Sequence, residues 1–503
     1  MEGVSFSYPS QVGRVFESLN LQLEPGWYGV VGANGEGKST LLGVLSGELV
    51  PEEGTVSIHG ASSQDIVWCK QVLSPGDVDA LIEDVSSRWD GESMRLRSVL
   101  ELDDGDLYRW ESCSGGEQKR WQIAAALMRR PPVLLLDEPT NHLDKEAKEL
   151  LFQALEGYQG VVLLVSHDRE VLDRMTQQTL WVEGKRVALY QGGYSEAKGL
   201  REASREDYLS RRQQLVDRVD QAQSQYHQAS GALKSANARI STRSRMKSVK
   251  DHDARSTAAK SKVIKAERRL GQRVSVLSRE RERAEQELSE MPYMVKASHG
   301  VEVAESKAPG EQVAYLELGE GLHGGARVLL RPRQGGFTLR RGEQWWLQGG
   351  NGVGKSTLLK ALYQSMPEEH REHVLWLPQE LSPESKEALL HDFESMRKDD
   401  RIAWLQHIAG LGVDVGRLLE EGLSGQSPGV WRKVMIARSL GLGCWCMLLD
   451  EPTNHLDIPS VEALERALAA YTGAMIVISH DNYFGQSLSL RSLVIEDKMM
   501  HMT

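Results

Sequence analysis

The chain has 503 residues, of which 40% are hydrophobic and 26% are charged, and its formal net charge at pH 7 is −11. This length exceeds what one hydrophobic core organises, so two or three globular domains are expected. The longest apolar runs have strand length, far short of the roughly 20 residues of a membrane span. The first residues match neither an export nor an organelle signal, so we expect a cytoplasmic protein without membrane insertion. Its four cysteines agree with a reducing compartment.

A glycine-rich loop follows the apolar residues 27–31 and precedes a helical pattern. This strand, loop and helix order is the context of a phosphate-binding loop, whose backbone N–H groups converge on phosphate oxygens at a helix N-terminus. We expect Lys38 to bind the β- and γ-phosphates of a nucleotide and Ser39 to ligate Mg²⁺. The other nucleotide-binding positions predicted in this loop are Gly32, Asn34, Gly35, Gly37 and Thr40.

Two acidic residues follow the continuous apolar run 133–136, which is typical of a parallel strand buried on both faces. Asp137 is placed to hold the metal ion through its coordination shell, and Glu138 to polarise the attacking water. His167 closes another apolar run and is predicted to contact the γ-phosphate.

Residues 199–291 differ in composition, because Gly and Pro almost vanish and sparse Leu and Val recur at three- and four-residue spacing. We predict two long helices that fold back as an antiparallel coiled hairpin. The segment 234–273 carries thirteen Lys and Arg against three acids, so it holds a charge of about +10 in an otherwise acidic chain. Such a segregated basic tip suits contact with a phosphate backbone.

The motifs of the first half return in the second half. Glu138 and His167 are 29 residues apart, and so are Glu451 and His480. The repeat assigns Lys355 and Ser356 the roles of Lys38 and Ser39, and it places Asp450 at the metal ion. The remaining nucleotide-binding positions predicted for the second loop are Gly349, Asn351, Gly352, Gly354 and Thr357.

The run Ser114, Gly115, Gly116, Glu117, Gln118 begins a helix 23 residues before Asp137. It resembles the signature of ATP-binding cassette proteins. In that family the signature of one cassette covers the ATP held by the other, which implies two composite sites in a monomer.

In the second half, Leu423-Ser424-Gly425-Gln426 matches that signature by eye. Spacing instead favours Ser427-Pro428-Gly429, which again starts 23 residues before the acidic pair. Ser427 and Gly429 are therefore assigned to ATP contact. Pro428 replaces a Gly, but the Ser and the second Gly are retained and Pro is tolerated in the first turn of a helix. We therefore expect ATP binding at the Lys38 site to survive, whereas its rate of hydrolysis, and whether both sites hydrolyse, stay open.

The same resemblance implies three further roles. Gln71 and Gln379 correspond to the family's glutamine loops, which sense the metal ion and γ-phosphate. Tyr8 corresponds to the aromatic residue that stacks on adenine in the first cassette. The equivalent stretch of the second cassette, near 324–328, offers no clear aromatic residue, so that position stays open.

Two cassettes in one chain, each with Asn-His-Leu-Asp after Asp-Glu-Pro-Thr, resemble the ABC-F class. This resemblance implies an α/β fold with two P-loop ABC-type nucleotide-binding domains, 1–198 and 292–503, joined by a helical hairpin linker, 199–291. It further implies an ATPase that uses ATP and Mg²⁺ and acts on the ribosome, with the linker tip contacting rRNA and tRNA.

Two alternatives remain beside this interpretation. One is the ATPase subunit of an ABC transporter with a separate membrane partner, which gives no reason for a basic hairpin. The other is a DNA-repair or structural-maintenance cassette ATPase, which would carry a zinc module or a far longer coiled coil. Within the ribosomal interpretation, the sequence separates neither a housekeeping translation factor from an antibiotic-resistance factor nor one antibiotic from another.

Overall fold

The computed structural model describes residues 1–9, 13–58, 65–141, 143, 145–244, 253–291, 303–306, 308, 310–319, 321–324, 327–331, 336–350 and 352–502. The chain divides into two compact units, one made of Met1–Ala197 with Ala297–Thr503 and the other of Lys198–Lys296. Both glycine-rich loops lie in the first unit, and the basic segment lies in the second. The three-domain division at 1–198, 199–291 and 292–503 stays a prediction, because both motif sets share one unit.

The first cassette alternates strands and helices. Its elements are β1 (Glu2–Phe6), β2 (Phe16–Leu19), β3 (Gly26–Val31), α1 (Lys38–Ser46), β4 (Glu53–Thr55), β5 (Ile66–Cys69), α2 (Pro75–Ser86), α3 (Gly91–Val99), a 3₁₀ helix (Asp104–Ser112), α4 (Gly115–Met128), β6 (Val133–Asp137), α5 (Lys145–Leu155), β7 (Val161–Val165), α6 (Arg169–Met175), β8 (Gln178–Glu183) and β9 (Arg186–Gln191). A six-stranded sheet has the order β5-β6-β7-β3-β8-β9. All its pairs are parallel except β8 with β9.

Two long helices follow, α7 (Tyr194–Ser244) and α8 (Asp253–Glu290). They run in opposite directions, because Arg218 pairs with Glu287 at 3.0 Å while the Arg281 guanidinium lies over the Tyr226 ring at 4.9 Å. Ala284 is buried between them, at 1% exposure. Residues 245–252 and the side chains of 238–264 lie outside the described residues, so the basic tip is described only at its ends.

The second cassette repeats the pattern of the first. Its elements are β10 (Gln312–Glu317), β11 (Leu322–Gly324), β12 (Arg327–Leu330), β13 (Gly336–Arg340), β14 (Gln344–Gly349), α9 (Lys355–Ser365), α10 (Glu368–Arg371), β15 (Val374–Leu377), α11 (Pro383–Ser395), α12 (Lys398–Gly410), α13 (Val415–Glu421), α14 (Pro428–Leu442), β16 (Cys446–Asp450), α15 (Ile458–Ala469), β17 (Ala474–Ile478), α16 (Asn482–Ser487), β18 (Arg491–Glu496) and β19 (Met499–Met502). Its sheet order, β15-β16-β17-β14-β18-β19, matches the first sheet strand for strand.

The central strands explain why the motifs meet. Every residue of β6 and of β16 is buried, as expected for parallel strands with helices on both faces. In each sheet the strand before the glycine-rich loop is separated by one strand from the strand that ends in the acidic pair. Because parallel strands end at the same edge, the loop, the acids and the histidine share that edge. The predicted fold class is confirmed.

Among the helices that the structure describes, none combines the length and apolar composition needed to cross a membrane.

Candidate functional site

Each glycine-rich loop holds its lysine beneath the backbone. Lys38 Nζ donates to the carbonyls of Gly32 at 2.9 Å and Ala33 at 3.0 Å, and Lys355 Nζ donates to those of Gly349 at 2.7 Å and Gly350 at 2.9 Å. Both lysines are nearly buried, with 8% and 9% exposure. Burial lowers the pKa of each ammonium, although nearby carboxylates oppose this shift.

The glycines before these lysines are required by space as well as by backbone conformation. Gly37 and Gly354 have φ of 100° and 101°, a region that side chains rarely adopt. A Cβ at Gly37 would lie 2.6 Å from Val15, and one at Gly354 would lie 2.9 Å from Leu329. Gly35 and Gly352 also have positive φ, 85° and 73°. Asn351 lies outside the described residues.

A serine hydroxyl and an aspartate meet at the start of each loop helix. Ser39 donates a hydrogen bond to Asp137, and Ser356 donates one to Asp450. Burial raises the pKa of each aspartate, and the serine hydrogen bond opposes part of that rise. Asp137 and Asp450 are 5% and 3% exposed. Hydroxyl and carboxylate oxygens next to a phosphate loop are the ligands that Mg²⁺ prefers, so these residues fit that ion.

The two glutamates follow their aspartates in a strained conformation. Glu138 and Glu451 have φ of 50° and 49°, which costs energy for a residue with a side chain and is found at functional sites. Their Oε2 atoms accept hydrogen bonds from the backbone N–H of His167 and His480, each at 3.3 Å. Their buried Oε1 atoms make no hydrogen bond to any described residue.

Burial decides the ionisation of these groups. It raises the pKa of Glu138 to about 8 and that of Glu451 to about 7, although the histidine N–H groups oppose the shift. His167 Nε2 lies 3.3 Å from Glu138 Oε1. Burial and the charge of Lys38 lower the pKa of His167 to about 4, so its imidazole is neutral near pH 7. The His480 side chain is more exposed, at 58% against 26%.

The two signature helices begin at equivalent residues. Ser114 caps α4 by accepting from the Glu117 N–H at 3.2 Å, and Ser427 caps α14 by accepting from the Val430 N–H at 3.4 Å. The structure therefore places Ser427, rather than Ser424, in the position of Ser114. Gly115 and Gly116 open α4 beside a shallow pocket lined by Ser114, Gly115, Gly116, Glu117, Arg120, Leu143 and Ala147.

The signature helices also hold the glutamine loops. Lys119 and Gln122 donate to the Lys70 carbonyl at 2.9 and 3.0 Å, just before Gln71. Arg432 donates to the Gln379 carbonyl and, at 2.8 Å, to that of Glu451. Both glutamines are exposed, and among the described residues no hydrogen bond joins their amides to the Ser and Asp pairs. The Arg432 contacts escaped sequence reasoning, although Lys119 and Arg432 stand five residues after their signature serines.

Tyr8 lies beside the first loop. Its hydroxyl is 3.0 Å from Thr40 Oγ1, and its ring packs edge to face on Phe6 at 5.0 Å. In the second cassette, β10 pairs with β13 as β1 pairs with β2. The counterpart of the Tyr8 segment is therefore the residue run directly after β10, where Leu318 is buried, rather than the 324–328 stretch. Thr357 is partly buried at the start of α9.

One contact joins the first glycine-rich loop to the second cassette. The Asn34 N–H donates to Asp457 Oδ2 at 2.5 Å. Hydrogen bonds from Ser460 and from this N–H hold the pKa of Asp457 below its usual range, even though burial acts in the opposite direction. Asp457 ends the repeated Asn-His-Leu-Asp run, a signal that could have marked it. The reciprocal residues, Asp144 and Asn351, lie outside the described residues.

These features define a class of protein: a twin nucleotide-binding ATPase fold in which the first phosphate loop is met by the opposite cassette. The ABC transporter family model matches residues 16–141 and 333–454. The chain is 28% identical to the ribosome protection protein VmlR of Bacillus subtilis, over 98% of this chain and 86% of VmlR. It is 29% identical to the tylosin resistance ATP-binding protein TlrC of Streptomyces fradiae, over 98% and 97%.

A solved complex of the archaeal ribosome recycling factor aABCE1 with stalk protein aP1 shares the fold, with a TM-score of 0.59 and 20% identity over 99% of this chain and 89% of that chain. Each half of the chain carries one match to the family model, and the chain belongs to the ATP-binding cassette family.

Changing Glu138 to Gln should alter how stability depends on pH. The unfolded carboxyl loses its proton near pH 4.5, whereas the folded one keeps it to about pH 8. The folded state therefore binds the extra proton in between, and its free energy of unfolding falls as pH rises through that window, by up to about 1.4 kcal/mol per pH unit. Glu138→Gln removes the ionisable group, and with it this decrease in the free energy of unfolding. In thermal unfolding without nucleotide, the Tm of the variant minus that of the parent should therefore increase from pH 5 to pH 8. A Tm difference that stays constant across this range would contradict the assigned effect of burial.

Glu451→Gln should show the same dependence on pH, except that its Tm difference should stop increasing near pH 7.

The second signature can be tested with two glycines. A Cβ at Gly429 would lie 2.5 Å from the His455 carbonyl oxygen, whereas one at Gly425 finds its nearest atom 3.9 Å away. We expect Gly429→Ala to cost about 1–3 kcal/mol in the free energy of unfolding and to reduce ATP turnover. Gly425→Ala is the matched control and should resemble the parent in chemical unfolding and turnover assays. The assignment of Ser427 is wrong if the control is the damaged variant.

Proposed function

We propose that this protein is an ATP-hydrolysing ABC-F factor that acts on the ribosome in the cytoplasm, in the manner of a ribosome-protection protein. The observation that carries the ATPase part is that a buried glutamate, aspartate and lysine stand beside an exposed serine at equivalent edges of the two sheets. The ribosomal part is supported by relatives named for ribosome protection and tylosin resistance, matched over 98% of this chain. The basic helical hairpin supports the same partner.

In this proposal the residues of each site divide the work on ATP. Lys38 and the loop N–H groups bind the β- and γ-phosphates, and Lys355 does the same in the second cassette. Ser39 with Asp137, and Ser356 with Asp450, hold Mg²⁺, while Gln71 and Gln379 contribute from their loops. Bound there, Mg²⁺ neutralises charge on the phosphate oxygens.

Each glutamate then serves as the base for water. Glu138 and Glu451 have a pKa of about 8 and about 7, close to working pH, and such a match favours proton transfer. Their Oε1 atoms, free of hydrogen bonds to described residues, are the proton acceptors. Neutral His167, and His480 in the second site, donate toward the γ-phosphate.

The two sites are completed across the cassettes. Ser427 and Gly429 cover the nucleotide at Lys38, and Ser114, Gly115 and Gly116 cover the one at Lys355. Tyr8 stacks on the adenine of the first. Because Pro428 removes one backbone N–H from the second signature helix, the Lys38 site retains ATP and hydrolyses it more slowly. The protein acts as a monomer that sandwiches two ATP molecules.

The ribosomal contact is assigned to the basic hairpin tip, 234–273, whose Lys and Arg side chains neutralise phosphates of rRNA and tRNA. In this scheme, closure on ATP fixes the ribosome-bound form. Hydrolysis then opens the sandwich and releases the protein, so turnover is coupled to a conformational cycle.

The test is co-sedimentation of the Glu138→Gln, Glu451→Gln double variant with 70S ribosomes, with ATP and without nucleotide. ATP should remain bound because the base is absent, so we expect ATP-dependent recovery in the ribosome pellet. Recovery should fall when Arg268 and Arg269, exposed near the tip, are changed to Glu. The same changes at Arg211 and Arg212, far from the tip on α7, provide the matched control. If ATP binds and no variant pellets with ribosomes, the ribosomal proposal fails and a separate membrane partner is the next candidate.

A further inference from the structure

One buried arginine joins the loops that carry the two site histidines. Arg169, 5% exposed, makes two hydrogen bonds to the Glu465 carboxylate, at 2.6 and 3.2 Å, and one to Asp481 Oδ2 at 3.0 Å. It follows His167 by two residues, and Asp481 directly follows His480. Its guanidinium also lies over the Tyr483 ring at 5.4 Å.

These contacts form a continuous path between the two glutamates. Glu138 accepts from the His167 N–H, Asp168 connects His167 to Arg169 along the chain, and Arg169 bonds Asp481. On the far side, Glu451 accepts from the N–H of His480, the neighbour of Asp481. The path contains no gap wider than one hydrogen bond, so a displacement of either histidine loop acts on the other through the ion pair.

Arg169 also holds the helix that reaches the first phosphate loop. Glu465 lies on α15, and the N-cap of α15 is Asp457, which accepts from the Asn34 N–H. Arg169 is therefore tied both to the second histidine loop and to the element that touches the first nucleotide loop. Moving α15 changes the Asn34 contact and the Arg169 contact together, because they lie on one rigid helix.

Among the described residues, the buried ion pair is made in one direction only, from the first cassette to the second. The residue equivalent to Arg169 in the second cassette is Asn482, which donates to Glu170 Oε2 at 3.0 Å. The residue equivalent to Glu465 in the first cassette is Phe152, which has no carboxylate. A change at Arg169 therefore leaves Glu465 and Asp481 without their shared cation, and the repeat offers the exposed Asn482 contact but no second buried ion pair at the equivalent positions.

We propose that Arg169 is a positioning residue that couples the two ATP sites, by fixing the distance between the loops of His167 and His480. This inference rests on the proposed function, since it presumes ATP at both sites. The hydrogen bonds from the planar Arg169 guanidinium to the two carboxylates depend on direction, so they are lost when the two histidine loops separate. ATP binding at one site therefore sets the loop geometry of the other.

The experiment measures how the first bound nucleotide changes the affinity for the second. A fluorescent ATP analogue is titrated with Mg²⁺ into the full-length Glu138→Gln, Glu451→Gln protein, so that no hydrolysis intervenes. We expect the second molecule to bind about fivefold more tightly than the first, or better, after statistical correction. The ratio of the second affinity to the first is called the affinity ratio. Adding Arg169→Gln should bring the affinity ratio to about one, whereas Arg169→Lys should keep part of the parent's ratio.

Two control variants distinguish coupling between the ATP sites from the loss of any one contact at the interface between the cassettes. Tyr483→Phe removes another hydrogen bond across the same interface, from the Tyr483 hydroxyl to Asp173 at 2.8 Å, and keeps the ring under Arg169. Arg174→Gln removes an exposed ion pair, to Glu149, within the first cassette. Both should keep the ratio of the parent. Glu465→Gln is the second test variant and should lower the ratio if Arg169→Gln does not fold.

The outcomes are distinct. The inference is overturned if the double-glutamine protein binds both molecules with equal affinity, if Arg169→Gln and Glu465→Gln keep the ratio, or if Tyr483→Phe loses as much as Arg169→Gln. Failure of the analogue to bind at all would instead overturn the proposed function. Loss of the ratio confined to the Arg169 and Glu465 variants supports the coupling.

Discussion

The burial of two carboxyl groups at the end of each enclosed parallel strand is the constraint on which the rest of the molecule depends. Asp137 and Glu138 lie where helices cover both faces of the sheet, and an unpaired ionised group there is costly. The structure surrounds them with a serine hydroxyl, the phosphate-loop lysine and the N–H of His167. The same shielding that makes ionisation costly raises the glutamate pKa toward neutrality, which suits a base for water.

In the proposed mechanism, catalysis at these buried carboxyl groups needs both cassettes. Within one cassette, the sheet edge supplies the phosphate loop, the acids and the histidine, and the proposal takes the signature from the other cassette. The Asp457 to Asn34 contact shows that the second cassette reaches the first phosphate loop directly. The Arg169 contacts join the histidine loops across the same interface. The first phosphate loop and the first histidine loop are thus both in contact with the other half of the chain.

Much of this could be predicted from sequence because the motifs are local and written twice. The Lys38 and Lys355 loops, the acidic pairs and the start of α14 at Ser427 follow from spacing, and the structure places them as expected. The contacts of Asp457 and Arg169 could not be predicted, since they join residues more than 290 positions apart and depend on packing between cassettes. The adenine-contacting residue of the second cassette stayed open for a related reason: the hairpin of β11 and β12 lies between β10 and β13, the strands that match β1 and β2.

The central claim is that each ATP site takes its signature from the opposite cassette. The most direct test compares ATP turnover in paired variants of Ser114→Arg and Ser427→Arg, both at exposed helix starts, with Glu138→Gln. If the sites are composite, adding Ser427→Arg to Glu138→Gln changes turnover little, because both disable the Lys38 site, whereas adding Ser114→Arg stops turnover at both sites. The opposite result, with Ser114→Arg silent beside Glu138→Gln, would show that each cassette completes its own site and would contradict the account.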